Sequence, residues 1–331
     1  GFKGQFNGGG HKITGLVINR PGTNFQGLFG YVSSGGLVEG LGVTGVNITG
    51  QHFVGGVAGG VIGCTVKNCY SNGNVSGLNN IGGVAGVVDG GTVQNCYSAA
   101  TVGGTTRIGG VVGWVNNGTL QYCYATSSAT GSGLNCGGVV GYVTGGAVKN
   151  CVALNAAVAG SMTVGRVVGK NDGGTLSGSY AFAGMTGGGS DKNTNGTDGA
   201  DMSANQVVTA AFWTTAANWN TSAWNNSIWT FENDKLPLLK NLAGQNGSLP
   251  LHLLRFSTTP LSVTLSGSGV SGSGASYSAS LSASDRTITV AVTGWKDWTN
   301  PEVTVTAKKP NNEAIAVTPQ DTVDGSASFT L

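Results

Sequence analysis

The chain repeats itself at a near-constant interval of 27 to 29 residues. One of the clearest copies reads IGGVVGWVNNGTLQYCYA. The six copies start at Phe25, Val54, Ile81, Ile108, Cys136 and Val164. A near-fixed period of this length is typical of stacked, equivalent units, each of which cannot bury its apolar side chains alone. We therefore predict a solenoid in which equivalent side chains form columns along one rod.

The pattern inside each copy indicates β-structure. Position 4 is Val in every copy but the first, position 8 is Val in every copy but the last, and position 6 is always Gly. Alternation of this kind is typical of a strand with one face in a core. Gly, Asn and Asp are frequent at positions 9 to 11, where they predict a tight turn. We expect up to three short strands per coil.

Two further positions predict a bend and a buried column. Asn stands at position 15 in three copies, and its tolerance of the left-handed conformation predicts a bend there. Four of the six cysteines follow at position 16 and should stack about 4.8 Å apart, a spacing whose parallel side chains suit a disulfide poorly. We expect a column of buried thiols and, without a CxxC motif, no zinc. The four are Cys69, Cys96, Cys123 and Cys151.

Composition changes along the chain predict two domains. Residues 1–249 form the solenoid, with a lead-in at 1–24, the six repeats at 25–185, and a linker and capping segment at 186–249. That segment is rich in Trp, and we expect it to be an end unit that hides the last coil. Residues 250–331 alternate in short runs that predict a small immunoglobulin-like β-sandwich. Because the chain begins inside a motif, we expect it to be a piece of a longer protein.

The repeats resemble the GLUG motif of bacterial surface proteins. GLFG at 27–30 and GVAG at 56–59 carry the motif, the segment 2–16 is similar to the stretch that often precedes it, and 224–239 is similar to a common ending. In that ending Leu236 replaces the usual Tyr. The resemblance implies an exported β-solenoid of about 28-residue GLUG-like repeats, anchored to the bacterial cell surface or outer membrane. Related regions occur in streptococcal IgA-specific metallopeptidases, but no HExxH zinc motif occurs in this chain.

The charge and the apolar pattern argue against nucleic-acid binding and against a membrane span. The net charge is +2 with 9% charged residues and no basic run, so nucleic-acid binding is not expected. No apolar run reaches about 18 residues, so we predict no membrane span within this chain.

Carboxylates are too sparse to predict an active site. Residues 1–180 contain only Glu39, Asp89 and Asp172. The two aspartates share position 9, but three coils separate them by about 14 Å, more than two cooperating glycosidase carboxylates use. The histidines lie in different segments, without a partner set for nucleophilic catalysis. We expect no catalytic residues and no enzyme.

One segment is a candidate metal site. Asp191, Asn193, Asn195 and Asp198 lie in a stretch that follows the first half of a calcium-binding loop, although Met202 stands where the final Glu belongs. A polar linker explains the same pattern. Calcium is the one cofactor that the sequence suggests.

Aromatic residues suggest a binding surface. Position 7 holds Tyr31, Trp114 and Tyr142, which would form a partial stripe suited to stacking on sugars or packing on a protein, unless neighbouring strands cover them. Trp298 in the second domain is a further candidate contact. We therefore expect an extracellular, adhesin-like protein that binds a host or bacterial surface protein or glycan. The alternatives are a carbohydrate-binding or spacer region of a larger surface enzyme, and a polysaccharide-degrading solenoid.

Overall fold

The computed structural model describes residues 1–33, 35–220 and 222–253, and beyond them only the backbone of short strands between 262 and 330. The chain divides into two compact units, 1–253 and 254–331. The first unit is a β-solenoid whose coils stack through parallel strands, so the predicted architecture is confirmed.

Three parallel sheets run along the rod. Sheet 1 contains Phe29–Ser33, Ala58–Ile62, Ala85–Asp89, Val112–Asn116, Val140–Thr144 and Val168–Asp172. Sheet 2 contains His52–Gly55, Asn79–Gly82, Thr106–Gly109, Leu134–Gly137 and Met162–Gly165. Within one coil, a strand of sheet 2 leads into a strand of sheet 1, and the chain then crosses sheet 3.

Sheet 3 is the largest of the three. Its strands are Gln5–Asn7, Lys12–Thr14, Val17–Asn19, Leu37–Thr49, Thr65–Ser76, Thr92–Gln94, Tyr97–Gly104, Thr119–Gln121, Tyr124–Ala125, Ala129–Gly131, Ala147–Lys149, Val152–Ala153, Val158–Ala159, Thr175–Ser177, Tyr180–Phe182 and Ala200–Met202. The first three belong to the lead-in, and each pairs with Leu37–Thr49.

The strand boundaries differ from the sequence prediction in three ways. The strand of sheet 1 begins at position 5, and position 4 lies in the bend before it. Sheet 2, formed just before and at the start of each copy, was not predicted, so a coil contains more than three strand segments. Gln26, not Phe25, pairs with Val54, whereas Phe29 pairs with Ala58 as predicted, so the first copy differs from the predicted alignment only at its start.

The core follows the predicted columns. Val84, Val111 and Val139 are each 0% exposed and share one hydrophobic cluster. Burying a valine side chain stabilises a fold by about 1.5–3 kcal/mol, and the columns repeat that gain in every coil. The six cysteines are buried and free, as expected for an unbridged thiol column. Burial raises the pKa of the Cys136 thiol to about 12, so this thiol stays protonated and unreactive at neutral pH.

The predicted bend at position 15 is confirmed. Asn68, Asn95 and Asn150 have φ of 53°, 51° and 52°, in the left-handed region that asparagine tolerates better than most residues. Tyr122 takes the same conformation in the remaining inner coil, and Gly178 takes it in the last coil. The bend separates two segments of sheet 3 and lets both sides of the break keep apolar residues in the core.

The Trp-rich segment lies along the flank of the rod. We name residues 203–253 the strap. It contains the helices Ala204–Val207 and Ala210–Thr214, the 3₁₀ turns Ala216–Asn218 and Leu251–Leu253, and the antiparallel strands Trp229–Thr230 and Leu238–Leu239. Its four tryptophans share a second hydrophobic cluster with tyrosines from three coils. The chain thus uses these rings to cover a side face, whereas we expected them to hide the last coil.

Residues 186–202 close the end that the strap leaves open. The Thr197 carbonyl accepts hydrogen bonds from the amides of Val167 and Val168, and Ala200–Met202 adds a strand beside Tyr180–Phe182. Arg166 is buried at this end, and its Nη2 donates to the Gly199 carbonyl at 2.9 Å. Residues 186–202, which we predicted to begin a linker, therefore form a terminal partial coil.

The second unit contains antiparallel strands. They are Ser262–Ser266, Val270–Ser273, Ser276–Ala279, Thr289–Thr293, Ala307–Lys308, Ala314–Ile315, Thr318–Asp321 and Ala327–Thr330. Four of them form one sheet and the other four form two hairpins. The immunoglobulin-like topology stays a prediction. Across the described part of the chain, none of the helices has the length and apolar character that crossing a membrane requires.

Candidate functional site

The side chains at position 7 form an outward-facing row on sheet 1, which we name the open column. Strand register aligns them from coil to coil. The row consists of Tyr31, Gly60, Val87, Trp114, Tyr142 and Lys170. Trp114 and Tyr142 are direct neighbours, whereas Tyr31 is separated from Trp114 by Gly60 and Val87. The structure therefore brings two of the three predicted rings together.

A second row of side chains lies beside the open column and was not predicted. One residue per coil at the bend into sheet 2 has a φ between 51° and 63°. These residues are Phe25, Phe53, Asn80, Arg107, Asn135 and Thr163. The constant spacing was visible in the sequence, but the residue types have nothing in common except this backbone conformation.

Arg107 joins the two rows at the centre of the candidate site. Its guanidinium carbon lies 4.9 Å from the Trp114 ring centroid and 4.9 Å from that of Tyr142. Cation–π contacts of this kind contribute about 0.5–1 kcal/mol at exposed sites. Trp114 Nε1 donates to Thr144 Oγ1 at 2.7 Å, which fixes the orientation of the indole ring. The guanidinium thus lies over both rings, and the three side chains form a cationic and aromatic surface.

Charged groups border this surface on the last coil. Tyr142 Oη donates to Asp172 Oδ2 at 2.6 Å, and Lys170 Nζ lies 3.0 Å from the same oxygen. The hydrogen bond to Asp172 raises the pKa of the Tyr142 hydroxyl. The hydrogen bonds from Tyr142 and Lys170 lower the pKa of the Asp172 carboxyl, which stays ionised at neutral pH. The surface thus brings together cations, a carboxylate and aromatic rings from three adjacent coils.

Tyr31 belongs to a separate aromatic patch near the amino-terminal end. Phe25 and Phe53 stack with ring centroids 4.6 Å apart, and Tyr31 lies 5.4 Å from Phe25. Gly60 leaves space for this group, because a Cβ there would lie 3.2 Å from the Phe25 ring. Tyr31 is 38% exposed, and Trp114 and Tyr142 are half-buried. Trp298 lies outside the described residues.

Asp89, His52 and His252 each contact a different part of the chain. Asp89 accepts from Asn116 Nδ2 at 2.9 Å, and three coils separate it from Asp172. His52 Nδ1 lies 3.2 Å from Asn79 Nδ2, and His252 Nε2 lies 2.7 Å from the Leu154 carbonyl oxygen. These groups serve separate local contacts.

The calcium-like segment is held by its own backbone. Asp198 Oδ1 accepts from the amides of Arg166 and Gly189, each at 2.9 Å, and its Oδ2 accepts from the Asp191 amide at 3.0 Å. Asp191 Oδ2 accepts from the Thr197 amide at 3.0 Å. Asn193 Oδ1 accepts from the Asn195 amide at 3.0 Å. Among the described residues, no group of three or more His, Cys, Asp or Glu side chains could hold a metal ion. The calcium site stays a prediction.

Comparison with known proteins supports the fold and gives short sequence likenesses. The fold is similar to a crystal structure from Bacteroides ovatus named a "putative immunoglobulin A1 protease", with a TM-score of 0.56, 21% identity and coverage of 71% of this chain and 77% of that one. At that identity the likeness shows the fold alone. No protein-family profile matches the chain.

Two proteins share short segments with the chain. One is a "Putative Gly-rich membrane protein" of Evansella cellulosilytica, 50% identical over 48 residues, which are 14% of this chain. The other is "Halomucin" of Haloquadratum walsbyi, 38% identical over 72 residues, which are 22% of this chain. The matches span 6% and 1% of those proteins.

Proposed function

We propose that this chain is a non-catalytic binding region of a bacterial cell-surface protein, adhesin-like in its role. The observation that carries the proposal is the surface built from Arg107, Trp114 and Tyr142 on a rigid rod. The four tryptophans of the strap are buried, whereas Trp114 is only half-buried and has polar groups around it. The names of the two proteins with matching segments support a location at the cell surface.

The chemistry of this surface suits a host or bacterial surface protein or glycan. Ring faces can stack on the apolar face of a sugar or on a partner side chain, and aromatic and Arg residues are the usual anchors of protein interfaces. Because the β-ladders fix the strands, little conformational entropy is lost when a partner binds. The GLUG-like repeats and the extracellular, anchored location belong to this proposal.

Binding arrays of glycans and matrix proteins test the proposal with the intact 331-residue chain. We expect Trp114→Ala and Tyr142→Ala to weaken binding to a retained partner by about tenfold or more. Val17→Ala is the matched control, because Val17 is an exposed apolar residue, 67% exposed, on sheet 3 rather than on sheets 1 and 2. Equal binding by all three variants would show that Trp114 and Tyr142 do not form the binding site. Failure of the chain to bind any partner would favour the spacer role.

A second candidate function is a carbohydrate-binding or spacer region of a larger surface enzyme. The fold shared with the Bacteroides ovatus protein favours it, because that protein is named for a protease activity. The sequence of the complete gene decides between the two, since a catalytic motif elsewhere in it supports the enzyme. A polysaccharide-degrading role would require release of reducing ends from a glycan panel, with loss of release on replacing Asp89 or Asp172.

A further inference from the structure

A groove of about 560 Å³ lies between the strap and the outer side of sheet 3. Gln94, Asn95 and Gln121 line it from two adjacent coils, and Trp224 and Asn226 line it from the strap. Its volume falls within the range of small-ligand sites. We name it the amide groove, because carboxamides supply much of its polar lining.

The two glutamines form a ladder with free hydrogen-bonding groups. Gln121 Nε2 donates to Gln94 Oε1 at 2.8 Å. The Gln94 amino group and the Gln121 carbonyl oxygen have no hydrogen-bond partner among the residues that the structure describes. The same column holds Lys67 before Gln94 and Lys149 after Gln121, so the uncharged pair beside the groove has a lysine on each side.

Two further polar side chains line the groove without a partner of their own. Asn95 belongs to its lining, and its carboxamide forms no hydrogen bond with any described residue. Trp224 is 1% exposed, and its indole N–H has no acceptor among those residues. Buried polar groups are nearly always paired in folded proteins because leaving them unpaired is costly. The Trp224 N–H is closed off from the groove, whereas the Asn95 carboxamide is open to a partner bound there.

We infer that the amide groove binds an uncharged segment of a glycan. None of the described lining residues carries a formal charge. A carboxamide both donates and accepts, and a sugar hydroxyl does the same, so the two match in pairs. Ala223 and Ile228, which are half-buried, add apolar surface for the C–H face of a sugar.

The surrounding strands argue against a peptide added to the sheet. Thr92–Gln94 pairs with strands on both sides, and so does Thr119–Gln121. No strand edge is therefore free to accept an extended peptide at this groove. An acidic glycan would find no cation in the described lining to balance its charge.

The inference deepens the proposed binding role at a second place on the rod. It rests on that role only in taking the partner to be extracellular. The groove uses sheet 3 and the strap, whereas the surface at Arg107 uses sheets 1 and 2. Variants at one place therefore test it without altering the other, and the two proposals can fail separately.

The test uses the intact chain on an array of uncharged oligosaccharides, with sulfated and uronic-acid glycans and unstructured peptides as further arms. Calorimetry then measures affinity for the best uncharged oligosaccharide. Gln121→Ala and Asn95→Gly should each weaken it about tenfold. Glycine at 95 keeps the left-handed backbone, as Gly178 does at the equivalent position of the last coil.

Asn150→Gly is the matched control. It makes the same change at the same repeat position, but Asn150 does not line the groove. Its affinity should stay close to the wild-type value, and thermal melting reports whether each variant is folded. Binding of acidic glycans or peptides alone, no uncharged ligand at millimolar concentration, or wild-type affinity in folded Asn95→Gly and Gln121→Ala variants would overturn the inference. A ligand lost in Trp114→Ala but kept in Asn95→Gly overturns this inference and leaves the proposed function standing.

Discussion

The solenoid has two aromatic columns, and they lie in opposite surroundings. On sheet 3, Tyr70, Tyr97 and Tyr124 stack with ring centroids 5.0 and 4.8 Å apart, under the strap. On sheet 1, Trp114 and Tyr142 lie one strand apart and are only half-buried. One repeat geometry thus produces a dry column and a partly exposed one, and the difference comes from the segment that covers the first.

The partners of the polar atoms differ in the same way. Tyr70 Oη donates to the Ala243 carbonyl and Tyr124 Oη to the Pro237 carbonyl, each at 2.7 Å, and both carbonyls belong to the strap. In the open column, Trp114 and Tyr142 donate to side chains of neighbouring coils. The covered column therefore connects the coils to the strap, whereas the hydrogen bonds of the open column stay between coils.

The largest expected effect is a difference in stability between variants of the covered column and of the open column. Trp229→Ala should lower the free energy of unfolding by about 3–5 kcal/mol, because the ring is buried against Tyr97, Tyr124 and Trp224. Trp114→Ala should cost about 1 kcal/mol or less, since its ring is half-buried and loses mainly a cation–π contact. Urea unfolding of both variants measures the difference. Equal costs would show that the open column is also part of the core.

A smaller effect tests how closely the coils approach beneath the open column. A Cβ at Gly113 would lie 2.5 Å from backbone atoms of Asn80 and Ile81, so Gly113→Ala should cost about 1–3 kcal/mol or more. Gly103 has no atom within 4 Å of its own added Cβ, and Gly103→Ala should be close to neutral. Thermal melting of the pair measures the contrast. A neutral Gly113→Ala would mean that adjacent coils have room to move apart.

Hydroxyl deletion tests the covered column itself. Tyr124→Phe should cost about 1–2 kcal/mol, because it leaves the buried Pro237 carbonyl without its donor. The buried Tyr97 hydroxyl has no partner among the described residues, so Tyr97→Phe should be neutral or should stabilise the fold by about 1 kcal/mol. Chemical unfolding compares them, and a larger loss in Tyr97→Phe would contradict the described hydrogen bonding.

The smallest expected effect is that of EDTA. We expect the melting temperature to stay the same when EDTA is added, since the carboxylates of Asp191 and Asp198 accept backbone amides. Differential scanning calorimetry with and without calcium measures it. A stabilisation by calcium that Asp191→Asn abolishes would establish the metal site instead.

The sequence predicts most of what repeats. The valine columns, the buried thiols and the left-handed Asn68, Asn95 and Asn150 all follow from residues recurring at a fixed spacing, because stacking places equivalent residues in equivalent surroundings. The position-7 aromatics were visible for the same reason. Sheet 2 was missed because its strand is short and its outward residue changes type from Phe53 to Asn80 to Arg107.

What does not repeat was harder to predict. The tryptophans of the strap are hydrophobic enough to require burial. Because the hydrophobic effect is not directional, they could cover either the end of the rod or its flank. The tyrosines at position 17 face these rings, and their recurrence could have indicated the flank. The amide groove lies between the repeats and the strap. Neither sequence segment by itself predicts a groove there.

The strap contacts coils from the lead-in to the last repeat. It meets Tyr180 through the Asn218 carbonyl near one end and reaches the Gly10 carbonyl through the Ala243 amide at the other. One additional coil would separate these anchor points by about another 4.8 Å. Duplication of a repeat in evolution would therefore need a matching insertion in residues 218–243. The length of the strap and the number of coils between its two contact points are therefore linked.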